Sequence, residues 1–141
     1  MFAPSREQAR RFFFDTWQRY RDGQPLEPLG RSALAVILLH PEYHGLLEQP
    51  DRYLDRDYGP QAGDLNPFLH LALHLAVAEQ LSIDQPRGIR AEYERVRAAV
   101  GEEHEALHAV LECLGETLWE SQRNNLAPDE RTYLECLRRK A

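Results

Sequence analysis

Residues 68–78 read FLHLALHLAVA, and the only polar side chains in that stretch are His70 and His74. Asn66-Pro67 stands directly before it, a capping residue followed by a proline suited to the first helical turn. The pattern predicts a helix from Pro67 to about Leu81. A helix that is apolar on every side is buried, either in a protein core or in a membrane. This one is far shorter than the roughly 20 apolar residues a span requires, so the reading is a central core helix.

His70 and His74 are four residues apart, which places both imidazoles on one face one turn apart. Leaving such groups buried without partners costs on the order of 1–3 kcal/mol each, so something should bind them. The same spacing recurs. All six histidines of the chain fall into three pairs, His40/His44, His70/His74 and His104/His108. Random placement over this length gives roughly 0.25 such pairs. Paired imidazoles at this spacing are how a helix offers two ligands to one metal ion.

Outward from the central helix, the chain reads as helical almost throughout. Ser5 caps a first helix that ends near Asp22-Gly23, with Phe13, Trp17 and Tyr20 as its buried stripe. A second helix covers about Leu29 to Leu39 and turns Leu34, Ile37 and Leu38 inward. Pro41 then pushes His40 out of the helical region, and a short turn restarts from Pro41 to Glu48. Residues 49–65, rich in Pro, Gly, Asp, Arg and Tyr, read as one long loop, a length that is uncommon and often functional. Beyond the central helix come Ile89 to Val100, Glu102 to Arg123 and Asp129 to Lys140. The expectation is an all-α single domain over residues 1–141, a compact bundle of five to six helices with one long loop before the buried central one.

The helix from Glu102 carries an apolar stripe of Leu107, Leu111, Leu114 and Leu118, with His104 and His108 along its edge. Glu112 continues the histidine line by another turn and adds a negative charge that imidazoles lack. Two facing pairs from different helices make a four-ligand set of the kind found in helix-bundle metal sites. The reading therefore takes His70, His74, His104 and His108 as core ligands, completed by His40, His44 and Glu112. A mononuclear site backed by supporting histidines and a dinuclear site are both open. Zinc or iron fits such a set first, with copper, nickel and manganese compatible. A small molecule could occupy an open position at the metal. No separate nucleophile or general base marks a reaction. The competing reading is a non-catalytic interaction or scaffold protein whose paired histidines are hydrogen-bonded core residues.

Composition bounds the partners. A hydrophobic content of 43% suits a globular chain, and a formal charge of −6 argues against a nucleic-acid binder. The first residues, MFAPSREQARRFFFDTW, lack a signal-peptide pattern, and no apolar run is long enough for a membrane span. Cys113 and Cys136 form no CxxC and are expected as reduced, inert thiols, which fits a cytoplasmic location.

The strings VILLHPEYH, NPFLHLALHLAVAEQLSIDQPRGI and LECLGETLWESQR, with the opening SREQARRFFFDTW, resemble domain-of-unknown-function family 1841 over nearly the whole chain. The resemblance implies a cytoplasmic proteobacterial helical protein and carries no activity. In ligand style the chain is also similar to hemerythrins, DinB-like proteins and dinuclear copper proteins. The bridging carboxylates of hemerythrins and the ExxH pairs of ferritin-like proteins are absent from it, so oxygen binding and ferroxidase activity are not implied.

Overall fold

The computed structural model describes residues 6–56 and 66–141. The expected Ser5 cap and the later part of the long loop, residues 57–65, lie outside them. Among the described residues the chain is all-helical, with eight α-helices and one 3-10 turn. That exceeds the five to six expected. The difference lies between Pro41 and Tyr53, where two single-turn helices stand in a region read as one short helix and a loop. They are α3, His44–Leu47, which follows the 3-10 turn Pro41–Tyr43, and α4, Pro50–Tyr53, which a proline leads. The chain divides into two compact units, Met1–Leu75 and Ala76–Ala141.

In the first unit, α1 (Arg6–Arg21) packs with α2 (Pro28–Leu38), followed by the 3-10 turn Pro41–Tyr43, α3, α4 and the start of α5 (Pro67–Ile83). Its core gathers Phe13, Phe14, Trp17, Val36, Ile37, Leu47, Phe68 and Leu71. Phe14 meets Phe68 edge-on with ring centroids 5.5 Å apart, a favoured aromatic geometry. Tyr20 and Leu38, expected inside, are 45% and 46% exposed. Each lies in the last turn of its helix. Arg10 is buried, and its guanidinium donates to the carbonyls of Tyr53, Leu54 and Arg56 at 3.3, 2.8 and 2.8 Å. A permanently charged planar fork suits that task, because its several N–H groups can reach neighbouring carbonyls at once.

α5 begins as the sequence predicts. The Asn66 side chain accepts the Phe68 and Leu69 amides at 3.0 and 3.2 Å. Leu71, His74 and Val77 are buried, but Leu69 is 56% exposed. The helix is therefore not enclosed on all sides, since one flank of an all-apolar helix can face outward with no pattern to mark it.

The second unit holds the end of α5 with α6 (Ile89–Val100), α7 (Glu103–Asn124) and α8 (Glu130–Lys140). Gly101 and Asn125 end α6 and α7 in the left-handed region, at φ 88° and 55°, which Gly and Asn adopt at least cost. The core includes Val77, Ile89, Val96, Val110 and Leu137, and Tyr133 donates its hydroxyl to Gln80 at 2.7 Å. Cys113 and Cys136 form a disulfide between α7 and α8, with Cα atoms 5.7 Å apart. This corrects the expectation of free thiols. Spacing along the chain carries no information about a pair brought together by helix packing. No helix among the described residues is long and apolar enough to cross a membrane.

Candidate metal centre

Pro41 organises the first histidine pair. A proline has no N–H, so the Ile37 carbonyl loses the donor that a continuing helix would supply from position 41. Two groups replace it. The His40 amide bonds Ile37 O at 2.9 Å, and His44 Nε2 donates to the same oxygen at 2.9 Å. With its amide thus engaged, His40 turns its own ring back, and Nδ1 donates to Val36 O at 2.9 Å. A carbonyl can only accept, so Nδ1 carries the hydrogen, the tautomer in which Nε2 is the nitrogen left to act as a lone pair. His40 is 1% exposed. The His44 ring instead stacks on Trp17, centroids 4.2 Å apart. The two members of this pair therefore point to different neighbours.

On α5, His70 and His74 close around His40. The His40 ring lies 4.9 Å from that of His70 and 4.6 Å from that of His74, and His70 lies 4.9 Å from His74. The Nε2 atoms of His40 and His70 are 3.1 Å apart. Two imidazole nitrogens bound to one zinc at about 2.0–2.1 Å each stand roughly 3.0–3.4 Å from one another, so this spacing fits a shared ion. It fits equally a direct hydrogen bond from His70 to His40.

On α7, the His104 and His108 rings lie 4.3 Å apart. Glu102 starts this helix, its carboxylate accepting the Glu105 and His104 amides at 2.8 and 3.0 Å. Those bonds, the Glu105 amide foremost, hold the Glu102 carboxyl below the usual carboxylate range. Glu112 is exposed and takes the Lys140 ammonium at 2.5 Å. Within the first unit three histidines, His40, His70 and His74, thus stand close together, and within the second His104 and His108 stand side by side, each group compatible with metal ligation or with structural pairing. His44 turns to Trp17 and Glu112 to Lys140, away from the other histidines of their units.

Two participants had no signal in the sequence. The carbonyls of Val36 and Ile37 act through the backbone, which a residue pattern does not display. Tyr43 stacks almost parallel on His40, centroids 5.4 Å apart and planes at 8°, and approaches His70 edge-on at 6.2 Å. Burial, with a smaller contribution from the Glu42 charge, raises the Tyr43 hydroxyl above its ordinary pKa, so it stays a neutral donor. Only its place between the histidines of HPEYH hinted at a supporting role.

A family model described as a domain of unknown function (DUF1841) matches residues 5–139. No curated protein and no solved structure matches the chain.

Proposed function

For a chain that belongs to the DUF1841 family, we propose a metal-binding function carried by its histidines, with one or two transition-metal ions as the cofactor. His40, His70 and His74 serve as ligands, and His104 with His108 offers a second pair. The observation that carries this reading is the convergence of three imidazoles within the first unit, ring centroids 4.6–4.9 Å apart and the Nε2 atoms of His40 and His70 at 3.1 Å. The His40 tautomer supports it: the bond from Nδ1 to Val36 O is the orienting contact that metal-bound imidazoles characteristically make. His44 and Glu112 stay outside the ligand set, because one is committed to Ile37 O and Trp17 and the other to Lys140. A nitrogen-rich set suits zinc, iron, copper or nickel. The test is elemental analysis of protein purified without a nickel column or a His-tag. A metal-to-protein ratio near zero, unchanged after supplementation with iron, zinc, copper and manganese, would sink the proposal.

A second reading is favoured by the 3.1 Å separation of His40 and His70. In it, His70 Nε2–H donates to the His40 lone pair, and the histidines form a hydrogen-bonded core in an interaction protein. The two readings demand different tautomers of His70. A metal takes the Nε2 lone pair and leaves the hydrogen on Nδ1, whereas the structural bond keeps it on Nε2. Nitrogen NMR of the labelled protein separates them.

A further inference from the structure

We propose that reduction of the disulfide turns Cys113, Cys136 and Glu116 into a binding site for a soft divalent cation such as zinc or cadmium, separate from the histidines. All three residues lie in the second unit, two on α7 and one on α8. Cys113 and Glu116 are three residues apart and share one face of α7. Helix packing brings Cys136 to that face, its Cα 5.7 Å from that of Cys113. Glu116 Oε2 stands 3.7 Å from Cys136 Sγ. A disulfide sulfur carries no hydrogen, so in the oxidised protein the carboxylate has nothing to accept from it. Beside a cation held by the two sulfurs, the same carboxylate is a third ligand.

Distance and charge both suit such an ion. On a tetrahedral zinc, a sulfur at about 2.3 Å and a carboxylate oxygen at about 2.0 Å stand roughly 3.5 Å apart, close to the separation of Glu116 from Cys136. Two sulfurs on one zinc stand roughly 3.8 Å apart, which each reaches by turning about its own Cα–Cβ bond once the bond between them is broken. Cys113 and Cys136 are buried and Glu116 is exposed, so the cation reaches the sulfurs past the carboxylate. Two thiolates cancel the double charge of the ion, as a buried position requires, and their softness favours zinc or cadmium over magnesium or calcium. The chemistry balances in both directions. A dithiol passes two electrons and two protons to the bonded sulfurs and becomes a disulfide itself, and the cation then displaces both thiol protons into solution. A low-molecular-weight disulfide takes two electrons and two protons back, closing the Cys113–Cys136 bond and releasing the ion. The joint between α7 and α8 thus holds either a covalent bond or a metal.

The experiment uses the full chain, reduced with a water-soluble phosphine and titrated with cadmium while circular dichroism follows the helices. Cadmium bound to thiolate gives an ultraviolet charge-transfer band that cadmium on histidines does not, so the readout is blind to the imidazoles. The expected result is a band that saturates at one cadmium per chain in the reduced protein and is absent from the oxidised one. Where reduction alone loosens the fold, cadmium should restore the helical signal, because the ligands converge only in the folded unit. Glu116→Gln should weaken cadmium binding about tenfold, the scale on which metal sites respond to losing one supporting group. A reduced protein without the band overturns the proposal, and so does a band that forms while the helices stay unfolded. Equal cadmium affinity in wild type and Glu116→Gln overturns it as well.

Discussion

His40 Nδ1 donates to Val36 O at 2.9 Å, and that bond decides what the rest of the ring can do. With the hydrogen fixed on Nδ1, the other nitrogen faces His70 as a lone pair, 3.1 Å away. The arrangement depends on Pro41, whose missing N–H redirects the His40 amide to Ile37 and leaves Val36 O for the ring. Replacing Pro41 with Ala restores an amide able to bond Ile37 O and extends α2. The expected outcome is weaker metal retention with little loss of helix, read by equilibrium dialysis beside circular dichroism.

Metal should stabilise the fold by mass action, because the converging ligands exist only in the folded chain. At a free ion concentration about a hundredfold above Kd the gain is about 2.7 kcal/mol, which raises Tm by roughly 5–10 °C. His40→Gln and His74→Gln should abolish that shift. A chelator-insensitive melting curve in the wild type, in protein shown to contain metal, would contradict the proposed ligand set.

His44→Ala separates structure from ligation. It removes the stack on Trp17 and the bond to Ile37 O, and should cost about 1–3 kcal/mol in urea unfolding. Metal stoichiometry should not change. A fall in bound metal at unchanged folding would return His44 to the ligand set.

The disulfide between Cys113 and Cys136 joins residues 23 apart in sequence, and closing a loop of that size is worth about 3 kcal/mol in the chain-entropy description. The double variant Cys113→Ser/Cys136→Ser should lose about that much, and reductant should then have no further effect. An identical denaturation midpoint in variant and wild type would show that the bond adds nothing to stability.

Asp84 sits between α5 and α6 at φ 52°, its carboxylate accepting the Arg90 and Gly88 amides. The Arg90 amide above all holds its carboxyl below the ordinary value. A group depressed in the folded state contributes fully above the unfolded carboxylate pKa of about 4 and loses that contribution as pH falls toward the depressed value. Asp84→Asn keeps an acceptor and tolerates the left-handed backbone but cannot titrate. The stability gap between wild type and variant should therefore narrow on acidification, measured by urea unfolding from neutral pH downward.

Most helix boundaries were legible because local residues set them. Asn66-Pro67 starts α5, and Gly101 with Asn125 closes α6 and α7, each through a conformation its own side chain favours. The outward flank of α5 was not, since Leu69 and Leu71 look alike until packing distinguishes them. The closeness of His70 to His74 and of His104 to His108 was legible from spacing alone. His40 was read as disturbed by Pro41, whereas the structure makes that proline the reason its ring is oriented. The disulfide escaped for a related cause. Helix packing, not sequence separation, brings Cys113 to Cys136.

With both cysteines spent on each other, the described chain offers no free thiol to a maleimide or a spin label. A single cysteine placed at Leu126, which is 70% exposed, would therefore be a unique attachment point under non-reducing conditions. A nitroxide there, paired with bound copper(II), turns the protein into its own ruler for locating the ion.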